Sequence, residues 1–358
     1  VDAGVRRGSP GRPHLDLAGL STVLVVNAGS TSLKLSVVGD DTESETVTSL
    51  DAAPRDVAAV VHRIVHGGVR FREPVVIDDE VEAALAGLVE LAPLHNAPAL
   101  AALADARRVF PDLPHVAVFD TAFHAMLPEV AATYALPARI RNEWGIRRYG
   151  FHGLSVEWCA ERVRVPRLVV CHLGGGCSIT AVQDGRSVDT SMGFTPLEGV
   201  PMATRAGSVD PGILLHLLRH GVSLRELDSA LEHESGLAGL SGLSGDVRQL
   251  AASDSPEATL ALEVFTYRIA GAVAAMATAL GGLDALAFTA GVGEHSPLVR
   301  DRVCARLEFL GVHLDAAANA AAGPDTDIQA PASAVRVAVV RAREEVVAAR
   351  AARRLLDA

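Results

Sequence analysis

Two arginines lie far apart in the chain, each in a loop-forming composition, and they are the residues best suited to handle an anion. Arg205 sits in DTSMGFTPLEGVPMATRAGSVDP, Asp189 to Pro211, surrounded by Gly, Ser, Thr and Pro with acids at both ends. Arg63 sits in HRIVHGG, His62 to Gly68, beside the apolar Val65. Either one alone reads as a solvated loop charge. Other windows weigh against that reading. Asp120 ends the apolar run of VAVFDTAFH, Val116 to His124, at a strand end of the kind that carries chemistry in open α/β sheets. His152 follows Phe151 in the Gly-flanked turn RYGFHGLS, where a structural histidine is the competing explanation. Glu344 and Glu345 open the C-terminal helix and Arg353 and Arg354 close it, so dipole compensation alone could account for Glu344.

Two windows have the chemistry of phosphate cradles. VLVVNAGSTSLKLSVV, Val23 to Val38, predicts a β-hairpin whose tight loop carries Asn27, Ser30, Thr31, Ser32 and Lys34. Gly and hydroxyl residues let a backbone approach phosphate and offer it N–H and O–H donors, and Lys34 adds charge. The same order of strand, Gly-rich turn and strand returns about 145 residues later in LVVCHLGGGCSITAVQD, aligning Gly29 with Gly174. Duplication predicts two related domains facing each other, with a nucleotide clamped in the cleft between them.

The elements that must position these groups follow from periodicity. VVIDDEV is expected to be an alternating strand. Val81 to Phe110 reads as two helical stretches interrupted at PLHNAP by Pro93 and Pro98, with His95 and Asn96 in the break. An amphipathic helix is expected after Pro211, from Gly212 to Gly221, and a Ser/Gly turn from Ser235 that closes with Asp246 and Arg248. Leu260 to Leu280 predicts a long apolar helix. ALAFTAGVGE, Ala285 to Glu294, predicts a strand, a Gly turn and a helix that present backbone N–H groups to phosphate or ribose.

Composition narrows the class. The 358 residues suit two domains, and 49% hydrophobic with 21% charged residues describes a globular chain. With a net charge of -11 and no basic stripe, nucleic acid is not an expected partner. Cys159, Cys171, Cys177 and Cys304 lack CxxC or disulfide-framework spacing, so free thiols in a reducing, cytoplasmic setting are expected. Residues 1–20 read as a mobile extension. The apolar run Ile269 to Leu283 is shorter than the roughly 20 residues that span a bilayer, so no membrane is expected.

Arginines, acids and phosphate cradles, without a Ser-His-Asp order, a reactive-cysteine setting or HExxH, suit phosphoryl transfer, which asks for positioning and charge stabilisation. No GxxxxGK[ST] and no HRD/DFG set occur, so P-loop enzymes and protein kinases are excluded. VNAGSTSLK, HRIVHGG, PLHN, FDTAFH, RRYGFHG, DTSMGFTPLEG with TRAG, FTAGVGE and the EE pair together resemble the acetate kinase family, of the acetate and sugar kinase, heat-shock protein and actin superfamily. The resemblance covers Val23 to the C-terminus.

The resemblance implies an α/β fold of two duplicated ribonuclease-H-like (actin-like ATPase) domains with an interdomain nucleotide cleft. The first domain would hold 21–122 plus 347–358 and the second 123–346. It implies a homodimer that transfers a phosphoryl group reversibly between ATP and acetate, giving ADP and acetyl phosphate. By matching positions, Arg63, Arg205, Asp120 and His152 would be catalytic, with His152 and Arg205 stabilising the moving phosphoryl group. Asn27 and Glu344, with Asp120, would surround Mg2+, for which Mn2+ could substitute. Val65, Leu94, Phe151 and Pro196 would wall the acetate methyl pocket beside Arg63. Lys34, His172, Gly174, Gly175, Gly176, Asp246, Val247, Arg248, Gly291, Val292, Gly293, Glu294 and His295 would hold ATP.

The chain departs from the family pattern beside the nucleotide. Gly175 replaces an Asn, Ala203 a Gly, Ser208 an Asp and His295 an Asn, and the TNEE string reads Ala342, Arg343, Glu344, Glu345. A shortening near Val163 to Leu168 predicts a trimmed peripheral element. Propionate is the alternative acid, since one methylene changes binding by only about 1 to 3 kcal/mol. A non-catalytic nucleotide-binding actin relative is the reading from another class.

Overall fold

The computed structural model describes residues 22–29, 33–39 and 44–358. The expected extension 1–20 and the loop residues Ser30, Thr31 and Ser32 lie outside the described residues. The first half contains β1 (Val23–Ala28), β2 (Leu33–Val38), β3 (Ser44–Val47), β4 (Val60–Ile64), β5 (Val75–Val76), α1 (Asp79–Ala86), α2 (Pro93–Val109) and β6 (His115–Phe119). Then follow α3 (Glu129–Ala132), α4 (Ala138–Trp144), α5 (Gly153–Val163), β7 (Arg167–Leu173), β8 (Cys177–Gln183) and β9 (Arg186–Thr190). The remaining elements are α6 (Pro211–Arg219), α7 (Leu224–His233), α8 (Gly236–Ser241), α9 (Val247–Ala251), α10 (Pro256–Leu280), β10 (Ala285–Thr289), α11 (Ala290–His295), α12 (Pro297–Ala305), α13 (Ala316–Ala320), β11 (Thr326–Asp327), β12 (Arg336–Val339) and α14 (Glu344–Leu356).

One sheet has the order β3-β2-β1-β4-β6-β5 and the other β9-β8-β7-β10-β12-β11. Adding six to each strand number of the first reproduces the second. The directions repeat as well: an antiparallel meander, then parallel pairings, then an antiparallel edge strand. The expected duplication is therefore a whole-sheet duplication, larger than the hairpin that disclosed it.

Strand periodicity sorts the core. Val23 and Val25 of β1 and Leu168 and Val170 of β7 face a middle core that α5 and α14 fill between the sheets. The alternate residues Leu24 and Val26 face α1 and α2, while Val169, Cys171 and Leu173 face α10 and α12. Burial on both faces explains why these strands read as continuous apolar runs.

Several local expectations are corrected. VVIDDEV forms only the two-residue β5, because Asp78 turns away to cap α1, its side chain accepting from the Val81 amide (2.8 Å). The break between the two helices falls before Pro93, not at PLHNAP. Pro93 is the first residue of α2, where a missing N–H costs nothing, and Pro98 lies within the helix, forfeiting one ladder bond. Asn27 and Lys34 are paired strand residues rather than loop residues. Gly291 and Gly293 form no separate turn; α11 starts directly off β10 through Ala290, at φ 65°. The expected Ser/Gly turn from Ser235 contains the short helix α8.

The apolar helix is α10, longer than expected at 25 residues, with the Ser255 side chain accepting from the Ala258 amide at its start and Gly281 at φ 66° after its end. Among the described residues it alone is long and apolar enough to cross a membrane by length and composition. Half of its most apolar window is buried, and it packs on β7 and β8.

Candidate active site

Neighbouring parallel strands bring the first group together. Asn27 lies in β1, Arg63 in β4 and Asp120 directly after β6, at the carboxyl ends of the strands. Arg63 forms a fork with Asp120, Nε donating to Oδ1 (2.7 Å) and Nη2 to Oδ2 (2.6 Å). Its Nη1 donates to Asn27 Oδ1 (3.0 Å) and pairs with Glu344 Oε2 (3.3 Å). Asn27 Nδ2 donates to the same Glu344 oxygen (3.4 Å). Burial works against the Arg63 charge, but the Asp120 and Glu344 carboxylates outweigh it and raise the guanidinium pKa. Asp120 is 1% exposed.

The second group stands at β7 and β8. His152, at φ 60°, precedes α5, and the Gly153 amide donates to the Asp120 carbonyl (3.0 Å). A Cβ on Gly153 would collide with that carbonyl oxygen, so only glycine lets α5 begin against the Asp120 backbone. A non-glycine residue in left-handed conformation costs about 1–3 kcal/mol, which the surrounding packing must offset. The His152 and His172 rings stack with centroids 4.0 Å apart. Each Nδ1 hydrogen-bonds a serine: His152 to Ser178 Oγ (3.0 Å) and His172 to Ser155 Oγ (2.9 Å). Their Nε2 edges face the glycine turn. An ideal Cβ on Gly176 would lie 3.2 Å from His152 Nε2, and one on Gly174 would lie 3.9 Å from His172 Nε2.

Arg205 closes the group from the long loop after β9. It is 9% exposed, its Nη1 donates to the Pro196 carbonyl (2.7 Å), and no carboxylate ion-pairs with it among the described residues. Burial lowers its pKa from the ordinary guanidinium value, against an opposing pull from Glu232. A Cβ on Gly176 would lie 2.7 Å from Arg205 Nη2. Burial, then His172, Arg63 and Arg205, hold the His152 pKa well below its ordinary value. Burial and the Arg63 charge lower that of His172 to about 3.

The structure adds residues that the sequence reading left unassigned. His95 sits on the first turn of α2, where burial, then Arg205 and Arg63, bring its pKa down to about 4. Arg63 lies in β4 and not in the loop its composition suggested; Asn96 braces the loop that follows, accepting from the His66 amide and donating to the His66 carbonyl (both 3.1 Å). His66 Nδ1 accepts from the Gly68 amide (2.9 Å), which leaves Nε2–H to donate to the Phe194 carbonyl (3.0 Å). The signal was present in PLHN, two polar residues beside the expected pocket residue Leu94.

The other expected residues are dispersed. Val65 and Phe151 belong to the core beside Tyr149, with Phe151 fully buried behind the histidine, whereas Leu94 is half-buried. Asp246 caps α9 and forks with the exposed Arg248 (Nη2–Oδ2 2.6 Å), while Val247 is buried in the core. Gly175 makes a tip with nothing within 4 Å of an added Cβ. Lys34 and His295 are exposed. The Glu294 carboxylate turns to the Ala342 amide (2.9 Å).

The described residues 45–350 match the model of the Acetokinase family. The chain belongs to the acetokinase family. A Cyanothece protein named acetate kinase is 48% identical over 307 residues, 82% of this chain and 74% of that protein. Among solved structures, acetate kinase from Porphyromonas gingivalis superposes with a TM-score of 0.82 at 34% identity, covering 92% of this chain and 98% of that one. A propionate kinase from Francisella tularensis gives 0.83 at 33% identity, with the same coverage. Both acetokinase likenesses extend over both sheets, so the two-domain α/β architecture expected from the sequence is borne out.

Proposed function

We propose that this acetokinase transfers a phosphoryl group reversibly between ATP and acetate, producing ADP and acetyl phosphate. Arg205 carries the reading. A guanidinium desolvated without a carboxylate partner is costly, and an anionic ligand in the cleft would offset that cost. Arg63 differs, being held in place by Asp120, so the pair supplies one uncompensated cation and one fixed cation, both near enough to lower the His152 pKa. Acetate is already an anion at neutral pH and needs no general base. The barrier is repulsion between the carboxylate and the terminal phosphate, which preorganised donors reduce.

In this reading the Ser178 hydroxyl donates to His152 Nδ1, which keeps the proton on Nε2, facing the glycine turn and the transferring group. Val65, Leu94, Phe151 and Pro196 would wall the methyl site. Glu344, Asn27 and the remaining lone pairs of Asp120 are hard oxygen donors, the kind Mg2+ uses when one or two carboxylates and substrate phosphates hold it. Held by these residues, Mg2+ or Mn2+ would supply positive charge that offsets the charge of the phosphates. ATP would lie along Lys34, His172, the Gly174–Gly176 turn, Asp246 to Arg248 and α11.

We further infer a domain division at 122/123, with 347–358 returning to the first domain, supported by the packing of α14 on β1, β4 and β6. A homodimer is supported by α6, which carries Ile213, Leu215 and Leu218 exposed and no buried residue. Four buried free thiols support a cytoplasmic setting. Propionate is the second acid to weigh, because the likeness to the Francisella propionate kinase is as strong as that to the acetate kinase.

Incubation with ATP, Mg2+ and acetate in the presence of hydroxylamine should yield acetohydroxamate. Product at the level of an enzyme-free control with several nucleotides would sink the proposal. The ratio of kcat/KM for acetate and propionate decides between the acids.

A further inference from the structure

The segment assigned to the nucleotide and the carboxylate assigned to the metal belong to different elements, α11 and α14, and one side chain ties the first to the backbone that leads into the second. Glu294 does not aim its carboxylate into the cleft. Its Oε1 accepts from the Ala342 amide at 2.9 Å, across 48 residues of sequence. Ala342 lies two residues before Glu344, whose Oε2 pairs with Arg63 and accepts from Asn27. The preceding amide, Arg341, donates to Asp325 Oδ1 (3.2 Å), so two carboxylates anchor the strand-to-helix connection that presents Glu344.

Glu294 is itself held from behind. Arg300, 1% exposed, donates through Nη1 to the carbonyls of Gly293 (2.9 Å) and Glu294 (2.8 Å). Asn319 fixes that guanidinium, accepting from Nε on Oδ1 (2.8 Å) and from Nη2 on its carbonyl (2.9 Å). Arg300 thus clamps the backbone of α11 at Glu294, and the Glu294 side chain clamps the backbone that leads to Glu344.

We propose that Glu294 is a positioning residue that sets Glu344 relative to α11, so that donor nucleotide and metal are engaged in one geometry. The proposal rests on the reading of Glu344 as a metal-side carboxylate and of α11 as the nucleotide segment. It assigns Glu294 a role through hydrogen-bond geometry and not through its charge.

Glu294→Gln and Glu294→Asp separate the two. Glutamine keeps the length and an acceptor oxygen for the Ala342 amide; aspartate keeps the charge but falls one methylene short. In the full-length protein, hydrogen exchange of the peptide 341–346 should accelerate in E294D and stay near wild type in E294Q. Mn2+ binding in the presence of ADP, read by electron paramagnetic resonance, should weaken about 10- to 100-fold in E294D, the usual cost of losing an outer partner of a metal ligand, and much less in E294Q. The reverse order, with E294Q impaired and E294D spared, would overturn the proposal and make Glu294 a direct charge contact. Unchanged exchange at 341–346 in both variants would overturn it as well. If the wild-type chain forms no acetohydroxamate, the acetate kinase reading fails, while the exchange contrast still decides whether Glu294 holds Ala342.

Discussion

Arg205 is the residue on which the proposed chemistry rests, because it is buried with no ion-paired acid among the described residues. Arg205→Ala should lower kcat by about 10²- to 10³-fold, the usual loss for one preorganised donor, with little change in the KM for ATP. Lysine should recover only part of the rate, since a point charge lacks the planar fork. The glycine turn offers an independent check. A methyl at Gly176 would lie 2.7 Å from Arg205 Nη2, while one at Gly175 meets nothing within 4 Å. Gly176→Ala should therefore cut kcat in a folded protein, and Gly175→Ala should not. Equal kinetics in the two variants would mean that Arg205 does not need its observed place.

At the scale of elements, the site depends on where helices begin. α5 starts at Gly153 against the Asp120 carbonyl, α2 brings His95 and Asn96 in its first turn, and α14 starts at Glu344. Each is a helix start, where the first backbone N–H groups lack intrahelical partners and side chains can be aimed at a neighbour. α6, like α4, carries no buried residue. Its apolar residues Ile213, Leu215 and Leu218 are about half exposed at 51%, 51% and 41%. Leu215 and Leu218, three residues apart, share one face of the helix, and that exposed apolar face is what the proposed dimer contact would cover. Leu215→Asp should convert the expected dimer to monomer in light scattering without lowering helix content; an unchanged mass would remove α6 from the interface.

For the whole molecule, buried imidazoles set the acid limit. Burial foremost brings His62 and His172 down to about 3, and His66, His95 and His124 to about 4, with His152 also well below its ordinary value. The unfolded chain takes up protons near pH 6.5 and the folded chain does not. Stability is therefore fully present above about pH 6.5 and is lost as pH falls towards 4, since the unfolded state then binds more protons. Burial raises Glu157, Asp189 and Glu232, which act in the opposite direction, but they are three against seven histidines, His115 being lowered by burial as well. Urea midpoints should decline steadily from pH 6.5 to 4.5, and a flat profile over that range would contradict the burial of the histidines in solution.

Local chemistry was legible in the chain itself. Glycine next to hydroxyl residues, an arginine among small residues and a carboxylate at the end of an apolar run are read from neighbours in sequence, because backbone conformation and strand burial act over a few residues. The duplication was legible for the same reason, through one hairpin that repeats. Helix starts were misread at Pro93 and Gly291, where proline and glycine signal a boundary without saying on which side of it the helix lies. What only the tertiary structure decided is which groups face one another. Whether Asp120 is free or forked with Arg63 and whether Glu294 points to a ligand or to Ala342 depend on contacts across 57 and 48 residues of sequence, and Arg205 is desolvated where its loop meets the Gly176 turn. Such contacts arise from which strands lie side by side, β4 with β6 and β10 with β12, and no local pattern of residue types encodes them.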